Sequence, residues 1–367
     1  MIDMSRRYGA DPDCVLAGGG NTSCKDAGVT AVKASGYALS SIDEEGFVLM
    51  DTEKLRALTQ KDYPEGDEVR EACALEDMMA ARIGGQGDKR PSVECILHAL
   101  FPMRYVLHVH PALINGLTCG RNGAAAFRTL FGDIAESVLW LPLIKPGYTL
   151  GKECAERFAN HANAYGQYPS VVFLQNHGIF VAADTAETID RILSDVVDRI
   201  SGHIGKKPEL TQESAPSGIE KTKQMMENLY GGKALFLRNK EIARFTANRG
   251  AFAAIAKPFT PDHIVYCRAY PLFIDSVERA AGAFAEYDKV YGGNPKIVAI
   301  CGEGVFALGQ DAAAAGLAAD LFGDAVKIAV YSESFGGPLP LPDDFTDFIV
   351  NWEMESYRQK TAERRRQ

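Results

Sequence analysis

One stretch constrains this chain of 367 residues more than any other. Lys206 to Gly218, KKPELTQESAPSG, is polar, holds two prolines and carries no apolar period. Such a segment has no face to bury, so it divides the chain. We read residues 1–205 as one domain, 206–218 as a linker and 219–367 as a second, smaller α/β domain. The end of the chain, Lys360–Gln367 (KTAERRRQ), reads as a frayed and solvated terminus.

Composition narrows the function classes. Hydrophobic residues make up 46% and charged residues 24%, ordinary for a well-cored chain. No window approaches eighteen uninterrupted apolar residues, and the start MIDMSRRYGADPD has no apolar segment. Neither a transmembrane helix nor a secretory signal is therefore expected. The net charge of -9 disfavours a nucleic-acid or anionic-membrane surface, though not a local basic pocket for a phosphorylated small molecule. The eight cysteines form no CxxC pair, which predicts reduced thiols and a cytoplasmic protein.

The first domain reads as mixed α and β. Strands are expected at 29–35, 47–51 and 105–110, and at 171–182 with a turn at Asn176 to Gly178. Helices are expected at 68–84, stopped by Gly84-Gly85, and at 92–101 with Ser92 as N-cap. Asp184 and Glu187 suggest a capping box for a helix running to about His203. In the second domain, 221–231 reads as a helix and 295–309 as a strand, a glycine loop and a second strand. With a helix at 311–323 and a strand at 327–332, this predicts a β-loop-α-β unit. The loop CGEGVFALG lacks dinucleotide-loop spacing and reads as a tight turn.

Chemistry concentrates at a few places. His108 and His110 lie two apart on an expected strand, so they share a face about 7 Å apart along it. Two imidazoles so placed can grip one metal ion, with His177 in the NHG turn as the third ligand. Three neutral histidines leave Zn²⁺ with open positions, a catalytic arrangement. HxH is a short pattern, however, and two ordinary half-buried histidines would read the same way. Glu94 starts the preceding helix, where it reads either as a surface residue or as a fourth ligand or general acid/base. His98 shares its helix face and reads as a supporting or packing residue, not a ligand. His263 is taken as structural, and His161 and His203 as surface residues.

Gly18-Gly19-Gly20-Asn21-Thr22-Ser23 combines permissive backbone with side-chain donors, the makings of an anion nest. Ser35-Gly36 repeats the theme after a strand, and Ser92 adds a donor at a helix start. Lys25 and Lys33 are candidates to supply charge. Each loop alone is more often just a turn. Together, beside a candidate metal site, they point to a phosphorylated substrate.

The segments GGGNTS (18–23), VKASG (32–36), PSVECILH (91–98), HVHP (108–111), PG (146–147) and LQNHG (174–178) stand in an order that resembles the class II aldolase/adducin family. The longer architecture is similar to the aldolase portion of bifunctional rhamnulose-1-phosphate aldolase/alcohol dehydrogenase proteins. By that resemblance, this chain ends where their short-chain dehydrogenase domain would begin. The resemblance implies a three-layer α/β/α domain with a mostly antiparallel central sheet. It implies a divalent metal, usually zinc, and often a homotetramer. Carried over, His108, His110 and His177 would bind the metal, and Glu94 would be the catalytic acid/base. Gly20, Asn21, Ser35, Gly36 and Ser92 would cradle a phosphate. Phosphate-binding members often have two serines before the glutamate; here Val93 replaces the second. An assisting tyrosine is not assigned, Tyr148 being one candidate.

The implied activity is retro-aldol cleavage of a ketose 1-phosphate, rhamnulose- or fuculose-1-phosphate-like, to dihydroxyacetone phosphate and an aldehyde. The alternatives are a sugar-phosphate 4-epimerase or decarboxylase on the same metal site, or a non-catalytic adducin-like module. Retention of all three histidines and the glutamate disfavours the last.

Overall fold

A computed structural model describes residues 1–352. The expectation for Lys360–Gln367 lies outside the described residues. The chain forms two compact units. The first holds residues 1–114, 124–203 and Trp352; the second holds 115–123 and 204–351. The short piece 115–123 thus belongs with the second unit, although it precedes the polar break by some eighty residues in sequence.

The first unit is built on a seven-stranded sheet. In chain order its elements are α1 (Ile2–Gly9), β1 (Asn21–Asp26), β2 (Val29–Lys33), β3 (Phe47–Asp51), α2 (Thr52–Leu58), α3 (Asp67–Ala80), α4 (Cys95–Leu100) and β4 (Tyr105–Val109). Most of α5 (Ala112–Thr118) belongs to the second unit; the first continues with α6 (Gly123–Phe131), β5 (Val138–Leu141), α7 (Tyr148–Tyr165), β6 (Val171–Leu174), β7 (Gly178–Ala183) and α8 (Ala186–Ser201). The strand order is β3-β2-β1-β4-β7-β6-β5. Every pair is antiparallel except β5–β6, which α7 connects as a crossover.

Helices cover both faces, which makes three layers. On one face α2, α3, α4 and α7 bury residues such as Leu55, Met78, Ile96 and Phe158 against Val48, Met50, Val106 and Val172. On the other, Ser5 of α1 meets Thr22, and Phe127 and Phe131 of α6 pack on Phe173. Thr22 and Phe173 point away from their strand neighbours because side chains alternate along a strand. The mostly antiparallel α/β/α expectation is met.

Several local expectations change. Helix α4 is shorter than 92–101: Glu94 occupies its N-cap position, and Ser92 instead accepts the Glu94 N–H over 3.3 Å. The N-cap of α8 is Thr185, whose hydroxyl accepts from Thr188 N; Asp184 turns to accept from Arg104 N. His161 is buried rather than on the surface, with Nε2 donating to the Glu136 carbonyl.

The second unit carries a four-stranded sheet ordered β8-β11-β10-β9. Its elements are α9 (Ile219–Tyr230), β8 (Lys233–Leu237), α10 (Lys240–Phe245), α11 (Arg249–Phe252), α12 (Pro261–Cys267), β9 (Leu272–Ile274), α13 (Ala280–Tyr291), β10 (Ile297–Ile300), β11 (Gly304–Gly309), α14 (Ala312–Ser332) and α15 (Asp343–Asn351). β10 and β11 form an antiparallel hairpin across Cys301–Glu303, as the tight-turn reading requires. α9 and α13 close one apolar cluster around Val298, Ile300 and Phe306.

The predicted strand at 327–332 does not exist. KIAVYS is the last part of α14, so the unit is β-β-α rather than β-loop-α-β. Asp311 caps the start, and the buried positions Ala318, Leu321, Phe322, Ala325, Ile328 and Ala329 keep a helical period through Gly323. A lone glycine costs a helix only about 1 kcal/mol, which that burial overcomes. The α-helix ends at Ser332, and a 3₁₀ turn over Glu333–Phe335 leads to Gly336-Gly337, both at positive φ.

The polar segment at 206–218 is not free of contacts. Lys206 pairs with the buried Glu241, Glu209 with Lys240 and Glu213 with Arg238, all within the second unit. His263 is structural, forming a reciprocal capping box with Thr260 and facing Asp324 at 3.2 Å. Among the described residues no helix is long and apolar enough to cross a membrane.

Candidate metal centre and its buried carboxylate

Two adjacent antiparallel strands assemble the three histidines. His108 is fully buried near the end of β4, and His110 follows just past it. His177 occupies the turn between β6 and β7, where Asn176 adopts φ +56°. Asparagine tolerates that left-handed conformation better than most residues. The β4–β7 register sets Val109 opposite Ile179, which brings the turn alongside His110.

One ring nitrogen from each histidine lies within 4.8 Å of the others. His108 Nε2 is 2.8 Å from His110 Nε2. His108 Nδ1 lies 3.0 Å from the Ile179 carbonyl, which can only accept. The proton of the neutral ring therefore sits on Nδ1, and Nε2 presents a lone pair. Phe180 stacks on the ring, 4.0 Å between centroids, and fixes its plane.

Glu94 completes the cluster. Its carboxylate is buried at the head of α4. Oε1 lies 3.2 Å from His108 Nε2 and 3.3 Å from His177 Nε2, and no well-aligned hydrogen bond reaches it. Oε2 accepts from Asn21 Nδ2 at 2.7 Å. Burial opposes ionisation, and the Asn21 hydrogen bond favours it. Burial pushes His108 down, against the pull of Glu94. A buried carboxylate oxygen without an aligned donor, beside three convergent imidazoles, is an arrangement that fits a divalent cation.

Two glycines make room. A Cβ on Gly178 would fall 2.5 Å from the Val109 carbonyl and 2.7 Å from His110 Cδ2. Gly20, at φ +61°, would meet Val15 at 2.6 Å and the His108 carbonyl at 2.8 Å. The NHG and GGGN motifs are thus glycine-bearing because chain and ring approach closely there.

The loops read as phosphate donors also converge. Ser35 N donates to the Arg90 carbonyl and Ser92 N to the Lys33 carbonyl, both over 2.9 Å, so Ser35-Gly36 and Ser92 are neighbours. The buried Lys33 reaches the Gly18 carbonyl at 3.1 Å. Gly36 has φ +82°, as a turn at that position requires. Asn21 stands at the end of the same glycine loop, but its amide is engaged by Glu94 and His98. Tyr148 is elsewhere in purpose: it is buried against Tyr63, and its hydroxyl donates to the Lys61 carbonyl at 2.5 Å.

Sequence reasoning missed the environment of His98. Residues 21, 23 and 25 alternate onto one face of β1 and meet α4. Asn21 engages Glu94, and Ser23 Oγ sits 2.7 Å from His98 Nδ1. Lys25 Nζ donates to the His98 carbonyl at 2.8 Å, while Arg56 Nε donates to the Ala99 carbonyl at 2.7 Å. Two basic side chains thus satisfy carbonyls of the last turn of α4. The alternation of polar residues in NTSCK was the available signal, but nothing local says which helix they face.

Residues 1–193 match the family described as the Class II Aldolase and Adducin N-terminal domain, and the chain belongs to it. Among known proteins it is similar to the Uncharacterized oxidoreductase YuxG of Bacillus subtilis (strain 168), with 24% identity over 420 positions. That match takes in 99% of this chain but only 58% of the relative, so the chain spans little more than half of that protein's length. Among solved structures, the N-terminal class II aldolase domain of a conserved Thermoplasma acidophilum protein is 31% identical. It covers 55% of this chain and 90% of its own, with a TM-score of 0.45. An L-fuculose 1-phosphate aldolase is 19% identical, covering 55% of this chain and 84% of its own at a TM-score of 0.36.

Proposed function

We propose that this protein is a metal-dependent carbon–carbon lyase. Its substrate would be a ketose 1-phosphate of the rhamnulose- or fuculose-1-phosphate kind, cleaved to dihydroxyacetone phosphate and an aldehyde. The observation that carries the reading is Glu94 Oε1, buried without a well-aligned donor and 3.2–3.3 Å from two of three convergent imidazoles. His108, His110 and His177 would hold the cation, Zn²⁺ or another divalent ion. When bound, that ion supplies Lewis-acid polarisation of substrate oxygens.

The chain's own residues do the rest. Glu94 removes or delivers the proton at the substrate carbon, its second oxygen pinned by Asn21 so that the first stays aimed. Gly20, Ser35, Gly36 and Ser92 hold the phosphate and convert binding energy into orientation. Asn21 lies at the edge of this set. Its amide serves Glu94 first. Val93 leaves one hydroxyl fewer than two serines would provide, so the cradle depends more on backbone N–H groups.

The test is product analysis with Zn²⁺-loaded protein and L-rhamnulose or L-fuculose 1-phosphate. Dihydroxyacetone phosphate and lactaldehyde are expected. An epimer or a decarboxylated product from any sugar phosphate, with no cleavage, would replace this reading with the epimerase or decarboxylase alternative. A preparation that binds no metal would return the chain to a non-catalytic module.

A further inference from the structure

We infer that Ser23, His98 and Asn21 form a one-directional hydrogen-bond chain that positions Glu94, with His98 a positioning residue acting through Asn21. The direction follows from the chemistry of its end. The NH₂ of Asn21, which only donates, faces Glu94 Oε2 at 2.7 Å. The carbonyl Oδ1 then faces His98 Nε2 in a short contact, and Oδ1 only accepts. His98 Nε2 must therefore carry its proton. In the neutral ring this leaves Nδ1 bare, and Ser23 Oγ–H, 2.7 Å away, donates to it.

Neutrality is enforced by place. His98 has no exposed surface, and Lys25 holds its own carbonyl. Phe180 packs edge-on against His98 at 5.5 Å while stacking on His108, so one aromatic ring locks both imidazoles. Each donor in the chain points toward Glu94, and successive bonds polarise one another. The result fixes which carboxylate oxygen is occupied and which faces the three histidines. Without His98 the Asn21 amide is free to rotate, and Glu94 loses its single orientation. The catalytic consequence rests on the lyase reading; the hydrogen-bond direction does not.

The first test is ¹⁵N spectroscopy of the full chain labelled at its seven histidines, with His98 assigned from the His98→Gln spectrum. A neutral ring protonated at Nε2 is expected. A ring protonated at Nδ1, or an imidazolium at pH 7, overturns the chain. The second test is detritiation of dihydroxyacetone phosphate by Zn²⁺-loaded His98→Phe and His98→Gln. For His98→Phe, kcat should fall about 10- to 100-fold with KM and bound Zn²⁺ unchanged. His98→Gln should recover part of the loss, because its amide can still donate to Asn21. Unchanged kcat in folded, metal-loaded His98→Phe, or a loss confined to KM, overturns the positioning role. If His98→Phe does not fold, the tautomer and His98→Gln, whose kcat must then fall below wild type, decide. If the wild type exchanges no proton, the lyase reading fails while the tautomer still decides the hydrogen-bond chain.

Discussion

Gly178 and the His110 ring occupy neighbouring space so closely that one extra carbon at Gly178 would lie 2.7 Å from His110 Cδ2. That carbon would also fall 2.5 Å from the Val109 carbonyl, which belongs to a strand and moves only with it. Gly178→Ala should therefore displace His110 and weaken the proposed metal site. We expect about a 10- to 100-fold loss of Zn²⁺ affinity, measured by competition with a chromophoric chelator. Over-packing should also cost about 1–3 kcal/mol of stability. Unaltered affinity would show that His110 is not a ligand.

Glu94 and His110 should fail in different ways. Glu94→Gln keeps shape and metal but should lose proton exchange on dihydroxyacetone phosphate by about 10²–10⁴-fold. His110→Ala should lose the metal itself. Exchange by isotope release and metal by elemental analysis, both on folded protein, separate the two outcomes.

Lys25 gives the pH dependence of stability a sign. Burial, then Arg56, pushes its ammonium from 10.5 down to about 7. Between about pH 7 and 10.5 the unfolded chain holds a proton there that the folded chain lacks. Stability from this group therefore rises with pH across that window and is flat below it. Urea midpoints at pH 7 and pH 10 should differ less in Lys25→Met than in wild type. An equal difference would place the Lys25 pKa near its ordinary value.

Helix α7 lacks a side-chain cap of its own, because Gly147 occupies the N-cap position. Glu71, from α3, takes over: it accepts from Tyr148 N at 2.8 Å and from Thr149 N and Oγ1 at 3.3 and 3.1 Å. Burial raises its pKa against these hydrogen bonds. Glu71→Ala should cost about 1–3 kcal/mol, read from denaturant unfolding, because it removes the cap and leaves buried donors unpaired.

The legible parts of this protein were those governed by short-range periodicity. Strand alternation put His108 and His110 on one side, and NHG marked the turn that presents His177. The period-two pattern also located β2, β3 and β4 to within two residues. The misreadings came where local signals compete. The helix expected at 311–323 does not end at Gly323: α14 runs through it because the buried face continues. Asp184 matched a capping pattern, yet its carboxylate serves Arg104 N, and neighbouring Thr185 does the capping.

Sequence alone therefore determined the residue types of the candidate metal cluster, the turn between β6 and β7 and the glycines that close approach demands. Tertiary structure alone decided that β1 lies beside β4 and beneath α4, so that Asn21 and Ser23 meet Glu94 and His98 more than seventy positions away. The physical reason is range. Dihedral preference and side-chain period act over a few residues. The partner of a buried polar group is chosen by whichever distant segment the sheet order sets against it, and a buried donor or acceptor must find that partner to be stable.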